Sequence, residues 1–323
     1  MTHTVLLIGL GSIGMLYDIK LPENKYTLSH ARAFHLHPNF RLIGAVDPVI
    51  SRCNQFSEKY KAPAASSVSQ LFLNTDPDVV IIASPTSTHM TVIKEVLQVC
   101  RPKLILCEKP LAYSSEEANN IVKECREKGI QLFVNYIRRA DPGVIAIKNR
   151  IDSSEICVPF KAIIWYSKGL IHNGSHFLGL MTYWFGPALE IKTIDPGRKV
   201  GEYDAEPDCR IIFESGSAIF CSAKEENFSH YTIEIIATNG RLRYEQGGVI
   251  EWRASRPHPT LDHYFQLQST PEVIENDMNH YQYNIADQLC CALNDDTHIL
   301  CTGDIGAMNI KLLESLINQN MEH

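Results

Sequence analysis

"TVLLIGLGSIG", residues 4 to 14, decides the fold. A short continuous apolar run ends in glycine and passes straight into Gly-x-Gly-x-x-Gly, Gly9 to Gly14. Such a run suits a strand buried on both faces of a parallel sheet. Glycines that follow the strand and open a helix suit a phosphate-binding turn. Gly9 permits the sharp bend, Gly11 lets backbone approach a pyrophosphate, and Gly14 lets helix and sheet pack closely. Ser12 and Ile13 then lie at a helix N-terminus, which favours the anion. Glycines in this spacing also serve ordinary turns, so the surroundings must decide.

The surroundings agree. "RLIGAVD" (41–47), "DVVIIAS" (78–84), "KLILCEK" (103–109) and "QLFVNY" (131–136) repeat the strand character, with helically spaced segments between them. The clearest helix is "EEANNIVKECREKG" (116–129): Ala118, Ile121, Val122 and Cys125 make one stripe, Ser114 or Ser115 caps it, and Gly129 ends it. Alternation of this kind predicts a doubly wound α/β domain with a parallel sheet over residues 1–135, its ligand at the carboxyl ends of the strands. Asp47 ends the second strand, where a carboxylate accepts adenosine ribose hydroxyls and repels a 2′-phosphate. NAD is therefore the expected cofactor, while Arg52 keeps NADP open and a plain turn carboxylate is the bland reading of Asp47. Asp47 lies farther from the glycines than the usual ~20 residues because "YDIKLPENKYTLSH" (17–30) is inserted between.

Two more segments reach the same rim. "ASPTSTH" (83–89) follows the third of these strands and brings Ser84, Pro85 and Thr86, with Ser87, to the cofactor; Thr88 reads as an N-cap, and His89 as a helix-start packing residue beside the cofactor rather than a catalyst. "CEKP" (107–110) places Glu108 and Lys109 at the rim. A lysine there transfers a proton to or from an alcohol or carbonyl if its pKa falls from about 10.4 toward neutrality, and a positive nicotinamide nearby would push it down. The competing reading is a surface lysine paired with Glu108.

The chain has 323 residues, 45% hydrophobic and 21% charged, long enough for two domains. Its formal charge is 30 − 37 = −7, with no basic stripe, which argues against nucleic acid. Ten cysteines show neither a Cys-x-x-Cys pair nor zinc-site spacing, so buried reduced thiols and no metal are expected. The opening apolar run is too short for a bilayer and has no basic stretch before it, which predicts a cytoplasmic protein without a membrane partner. After residue 150 the sequence is β-rich, with hairpin signals in Glu-Ser-Gly-Ser and Asn-Gly. Five to seven antiparallel strands are expected, in a second domain over 136–323. Ile305, Met308, Leu312 and Leu316 form the expected packing stripe of a closing helix.

"KGLIHNGSHFLG" (168–179) sets His172 and His176 four positions apart. Taken with "GLGSIG", Asp47, "SPTSTH", "EKP", "NYIRRADPGVIAIKNRI" (135–151), "GSH" (174–176) and "TGDIGAMNIKLLESL", the chain resembles the glucose-fructose oxidoreductase, inositol dehydrogenase and rhizopine catabolism protein family, Gfo/Idh/MocA. The resemblance spans essentially the whole chain. It implies an N-terminal Rossmann domain and a C-terminal α+β domain with a large open, mainly antiparallel sheet. The helix-bearing face of that sheet would hold substrate, and its outer face would join a homo-oligomer, dimer or tetramer. It implies that Lys109 is the active-site lysine, before a cis proline, and that Arg139 corresponds to a frequent arginine, a substrate clamp or an inter-domain ion pair. His30 corresponds to a histidine read as structural. Asn135, Tyr136 and Asn173 are further substrate-side candidates.

His176 aligns with the family histidine, whereas His172 stands where the family usually has aspartate, and Gly179 where many members carry another. Three readings of the pair stay open: metal ligands, structural histidines, or a substrate-contacting pair with His176 as acid/base or orienter. The expected activity is NAD(P)-dependent hydride transfer to or from a secondary alcohol or ketone of a sugar or sugar derivative, with a leaning to surface-polysaccharide biosynthesis. A reductase of a non-sugar carbonyl or imine, or a non-catalytic dinucleotide-binding regulator, are the alternatives.

Overall fold

The computed structural model describes residues 2–71 and 76–319. In chain order the first stretch forms β1 (His3–Ile8), α1 (His30–Leu36), β2 (Phe40–Val46), α2 (Ile50–Tyr60), β3 (Ala64–Ala65), β4 (Val79–Ile82), α3 (His89–Val99), β5 (Leu104–Glu108), α4 (Ser115–Glu127) and β6 (Gln131–Asn135). There follow α5 (Pro142–Asp152), β7 (Phe160–Tyr166), α6 (Ser175–Phe185), β8 (Ala188–Asp195), β9 (Lys199–Val200), β10 (Asp204–Ala205), β11 (Asp208–Phe213), β12 (Gly216–Ser222), β13 (Tyr231–Ala237), β14 (Gly240–Tyr244), β15 (Ile250–Pro257), β16 (Phe265–Leu267) and β17 (Glu272–Ile274). The chain ends on α7 (Tyr281–Leu293), β18 (Cys301–Thr302) and α8 (Gly303–Gln319).

The described residues form two compact units, one within 2–140 and 279–310 and the other within 141–278 and 311–319. Sequence patterning sets one boundary near 135, but cannot show that the chain comes back. The return has a packing cause. In α7, Ile285, Ala286 and Leu289 are buried in the same apolar cluster as Val5, Leu7 and Phe34.

In the first unit the strand order is β18-β6-β5-β4-β1-β2-β3, parallel throughout except for β18, which runs antiparallel to β6. The order reverses at β1, flanked by β2 and β4, which is where an open parallel sheet leaves a crevice at its carboxyl ends. Val5, Leu6 and Leu7 are sealed on both faces, as the continuous apolar run requires. Ser114 Oγ accepts Glu117 N at 3.2 Å to start α4, and Gly129, with φ +68, stands past its end. The two-residue strands β3 and β18 are too short to leave a sequence pattern.

The inserted segment is held from within. Asp18 is fully buried and accepts from Leu28 N (2.6 Å), Ser29 N (2.9 Å) and Ser29 Oγ (2.6 Å). Arg32 Nε stands 3.6 Å from the same carboxylate. In consequence the helix opened by the glycine loop is only one wide turn, Ser12–Leu16, before the chain enters this insertion.

In the second unit β7 lies beside β12 in parallel and the other pairings of its sheet are antiparallel, in the order β16-β15-β14-β13-β7-β12-β11-β8, with β17 on β15. Among the described residues nine strands therefore stand in this sheet where five to seven were expected, since β16 and β17 have only three residues each. Two-residue turns, Glu214-Ser215 and Thr238-Asn239, close the two signalled hairpins. Along β7, Phe160, Ala162, Ile164 and Tyr166 point inward while Lys161, Ile163 and Trp165 point outward. On the inward side α6 buries Phe177, Leu178, Leu180, Met181 and Trp184, and Trp184 Nε1 donates to Val144 O at 3.1 Å.

The face of α8 matches the expected stripe at Leu316, only partly at Ile305 and Leu312, and not at Met308. Met308 is 47% exposed, and among the described side chains the buried positions are Gly303, Gly306, Ala307, Asn309, Ile310, Leu313, Leu316 and Ile317. A Cβ on Gly306 would sit 2.6 Å from Val134 Cγ2. Close approach of small residues, which carries no hydrophobic signal, rotates the helix away from the bulky stripe.

Candidate active site

The first unit collects its candidate residues at one rim of the parallel sheet. Gly9 has φ +97, and a Cβ there would stand 2.6 Å from the Ala83 carbonyl, so only glycine lets the turn after β1 lie against the turn after β4. A Cβ on Gly14 would come 2.0 Å from Gly9 O. Gly11, in contrast, has open space: nothing lies within 4 Å of the corresponding position. Its carbonyl accepts Met15 N (2.9 Å) and Leu16 N (3.0 Å), so the turn that carries Ser12 and Ile13 starts at Gly11. Asp47 is buried at the end of β2; Oδ2 accepts Leu10 N at 2.7 Å and Oδ1 accepts Val49 N at 2.9 Å. Arg52 Nη1 stands 3.3 Å from Asp47 Oδ2. The carboxylate is thus tied to the glycine turn, at the edge where an adenosine ribose would lie. These features fit a dinucleotide: an open backbone position at Gly11, a packed one at Gly14, and a fixed acceptor at Asp47.

Ser84, Pro85 and Thr86 follow β4 beside that turn, and Thr88 Oγ1 donates to Ser84 Oγ at 2.8 Å. His89 is fully buried, with Nε2 3.0 Å from Ser84 O and Nδ1 3.0 Å from Leu111 O. Burial pushes its pKa down against the pull of those carbonyls. A neutral ring donates to one carbonyl at a time, and it spans the turns after β4 and β5.

Lys109 is half-buried at the end of β5, and the Lys109–Pro110 peptide is cis. Glu108 turns inward. Its Oε1 lies 2.7 Å from His30 Nε2 and accepts Asn135 Nδ2 at 2.7 Å, while Asn135 Nδ2 also stands 3.2 Å from Gln282 Oε1. Burial would raise the Glu108 carboxyl, yet the hydrogen bonds from His30 and Asn135, with the charge of Lys109, hold it below the ordinary range. Glu108 and Asn135 are therefore engaged with one another inside the unit. Tyr136 is buried beside them, and Arg139, half-buried, reaches the Cys301 thiol of β18. Burial pushes that thiol up to about 11, against the guanidinium.

The histidines belong to the second unit. Gly169, with φ +88, starts a wide turn, Leu170–Gly174, that runs into α6. His172 is exposed and His176 is 6% exposed, so the two rings have different surroundings although four positions apart. Asn173 is buried, and its Nδ2 donates to Ser167 O (2.8 Å) and Tyr231 Oη (2.7 Å). Beneath the turn, the buried Asp204 accepts from Ile171 N and His172 N, both at 2.9 Å. Burial pushes the Asp204 carboxyl up to about 6, although the backbone N–H groups pull it down. Among the described residues no cluster of three or more His, Cys, Asp or Glu is placed to hold a metal ion.

Sequence reasoning passed over Gln282, Asp204 and Glu206. Each reaches its partner from a distant part of the chain, and none sits in a recognisable motif. Alternating carboxylates in "DAEPD" (204–208) are the one signal that was available.

Comparison with known proteins adds to this geometry. The model of an oxidoreductase family with an NAD-binding Rossmann fold matches residues 4–136. An inositol 2-dehydrogenase from Rubrobacter xylanophilus is 30% identical over 179 residues, covering 55% of this chain and 50% of the relative. A scyllo-inositol 2-dehydrogenase (NAD(+)) from Bacillus subtilis is 35% identical over 138 residues, 42% of this chain and 38% of the relative. The chain thus spans half or less of the length of these curated relatives. Among solved structures, the WlbA dehydrogenase from Bordetella pertussis in complex with NADH and UDP-GlcNAcA superimposes with a TM-score of 0.74 at 17% identity, over 99% of this chain and 96% of that one. At that identity the likeness is one of fold.

Proposed function

We propose that the protein is a member of the Gfo/Idh/MocA oxidoreductase family, whose NAD-binding Rossmann model matches residues 4–136, and an NAD(P)-dependent dehydrogenase or reductase acting on a CH–OH group or the matching ketone of a sugar or sugar derivative. The observation that carries this reading lies within the first unit. The open Gly11, the buried Asp47 and the half-buried Lys109 end three strands of one parallel sheet at the same rim. Bound nicotinamide would supply the hydride donor or acceptor. Asp47 would hold the adenosine ribose, with Arg52 beside it as the residue that bears on NADP.

Lys109 Nζ would hold or release the proton of the reacting hydroxyl. His176 would share that role or orient the oxygen, and the exposed His172, where the family carries aspartate, would supply a neutral hydrogen bond to a substrate hydroxyl. Arg139 and Tyr136 would be supporting residues, while the Asn173 amide is engaged with Ser167 and Tyr231. Support for a polyhydroxyl substrate comes from the inositol dehydrogenase relatives and the UDP-sugar in the WlbA structure. We extend the proposal to a place in surface-polysaccharide biosynthesis. The ten thiols fit a reducing cytoplasm, and no helix among the described residues is long and apolar enough to cross a membrane. A second copy of the chain would cover the outer sheet face, where Ile163, Trp165, Ile219 and Ile236 are exposed.

The test is a panel of inositols, hexoses and UDP-sugars with NAD or NADP, run on the wild type and on Lys109→Met. Turnover in the wild type, lost in Lys109→Met while NADH affinity stays within threefold, is the expected result. Equal rates in the two proteins would remove the lysine from the chemistry, and binding of neither nicotinamide cofactor would sink the reading. Light scattering of Trp165→Lys, expected to be a smaller species than the wild type, tests the sheet interface.

A further inference from the structure

Two carboxylates, one on β10 and one just after it, grip the backbone of the turn that leads into α6. Asp204 Oδ1 accepts Ile171 N at 2.9 Å and Ala205 N at 2.8 Å, and Oδ2 accepts His172 N at 2.9 Å. Glu206 Oε1 accepts Gly169 N at 3.2 Å, and its Oε2 accepts Arg198 Nε at 2.7 Å. Asp204 is 8% exposed and Glu206 2%. N–H groups at the start of a helical segment have no partner within it. A carboxylate supplies several acceptor sites at once, with charge-assisted strength.

The fit is close enough to dictate sequence on the other side. A Cβ on Gly169 would stand 2.1 Å from Asp204 Oδ2, and the φ of +88 at that position also favours glycine. The surrounding charges complete the cage. Arg198 joins Glu206 to Glu226, Lys168 Nζ stands 2.8 Å from Glu225 Oε1, Ser167 Oγ donates to Glu225 Oε2 at 2.6 Å, and Tyr166 donates its hydroxyl to Pro207 O. The segment 167–173 is thus held at its start by Glu225, along its backbone by Asp204 and Glu206, and at its far end by the amide of Asn173 on Tyr231.

We propose that Asp204 and Glu206 are positioning residues, a carboxylate clamp that fixes the backbone from which His172 and His176 are presented. This rests on the reading of those histidines as substrate-contacting. A displacement of about 1 Å in such a group costs on the order of 10²-fold in rate, so the clamp acts on turnover without touching substrate.

The test compares wild type, Asp204→Ala and Asp204→Asn as full chains at pH 8. Backbone hydrogen exchange over 167–176 is read by mass spectrometry, NADH affinity by fluorescence, and kcat and KM with whichever polyol or UDP-sugar the panel shows to be turned over. Exchange in 169–173 should rise at least tenfold in Asp204→Ala. Asp204→Asn, which keeps one accepting oxygen, should fall between that variant and the wild type. NADH affinity should hold within twofold while kcat drops tenfold or more with a smaller change in KM. Unchanged exchange in Asp204→Ala overturns the clamp. Raised exchange with an unchanged kcat overturns its part in positioning. A wild type that turns over nothing sinks the redox reading, and with it the positioning role, while the exchange arm still decides the clamp. If Asp204→Ala does not fold, Asp204→Asn decides: exchange in 169–173 equal to the wild type overturns the clamp, and raised exchange with an unchanged kcat overturns its part in positioning.

Discussion

His30 Nε2 lies 2.7 Å from Glu108 Oε1, across 78 positions of sequence, and both side chains are closed off from solvent. The contact ties the start of α1, just after the insertion, to the strand end that carries Lys109. His30→Ala would leave the buried Glu108 carboxylate without its imidazole partner, keeping the Asn135 amide. Leaving a buried acceptor short of a hydrogen-bond partner costs about 1–3 kcal/mol, more for a charged group, and urea unfolding at pH 7 should show a loss of that order. Glu108 is held below its ordinary range in the folded state, so its contribution is present at neutral pH, above the unfolded carboxylate pKa, and disappears as pH falls through the folded value. The gap between variant and wild type should therefore narrow in acid. A gap that is constant down to pH 3 would place the effect in packing instead.

Gly11 and Gly14 separate binding from folding. Gly14→Ala forces a Cβ to 2.0 Å from backbone oxygen, and the first unit should lose stability visibly in a thermal melt. Gly11→Ala meets nothing within 4 Å, so its melting temperature should match the wild type while NADH affinity falls tenfold or more, because the methyl occupies space the pyrophosphate needs. Loss of stability in Gly11→Ala with intact cofactor binding would contradict this division.

Asp47→Ala removes the acceptor of Leu10 N and the partner of Arg52 together. NADH should bind at least tenfold more weakly, about 1.4 kcal/mol. NADPH should lose less, since the group that repels a 2′-phosphate has gone and Arg52 is released. Parallel fluorescence titrations with the two cofactors check it, and equal losses for both would contradict a discriminating role.

Residues 1–140 expressed alone should fail to give a cooperative unfolding transition. They lack Ile285, Ala286, Leu289 and Leu300, all buried in the core of that unit. In the intact chain, Leu289→Ala should cost about 2–5 kcal/mol, read by denaturant unfolding of the first unit. A native-like melt from the 1–140 fragment would show that the returning segment is dispensable.

The parallel strands, the stripe of α4, the two hairpin turns and the residues at the rim could all be read from the sequence, since each rests on local periodicity or on a glycine with one steric use. What could not be read is what crosses the chain. The cradle of Glu108 needs His30, Asn135 and Gln282 together, and the turn bearing His172 needs Asp204 from 32 positions away. Asn173 looks like a substrate residue in sequence, yet its amide is spent on Ser167 and Tyr231. On α8 the bulky stripe misleads because Gly303 and Gly306, not Met308, set the close approach.

The return of residues 279–310 to the first unit also sets the order of events at the ribosome. The amino-terminal sheet emerges early, but the helix that seals its core is encoded after the whole of 141–278. At roughly 5–20 residues per second, apolar surface on that sheet waits some seconds to tens of seconds for its cover. Nascent chains should accordingly be clients for holding chaperones until residues 279–310 have left the exit tunnel.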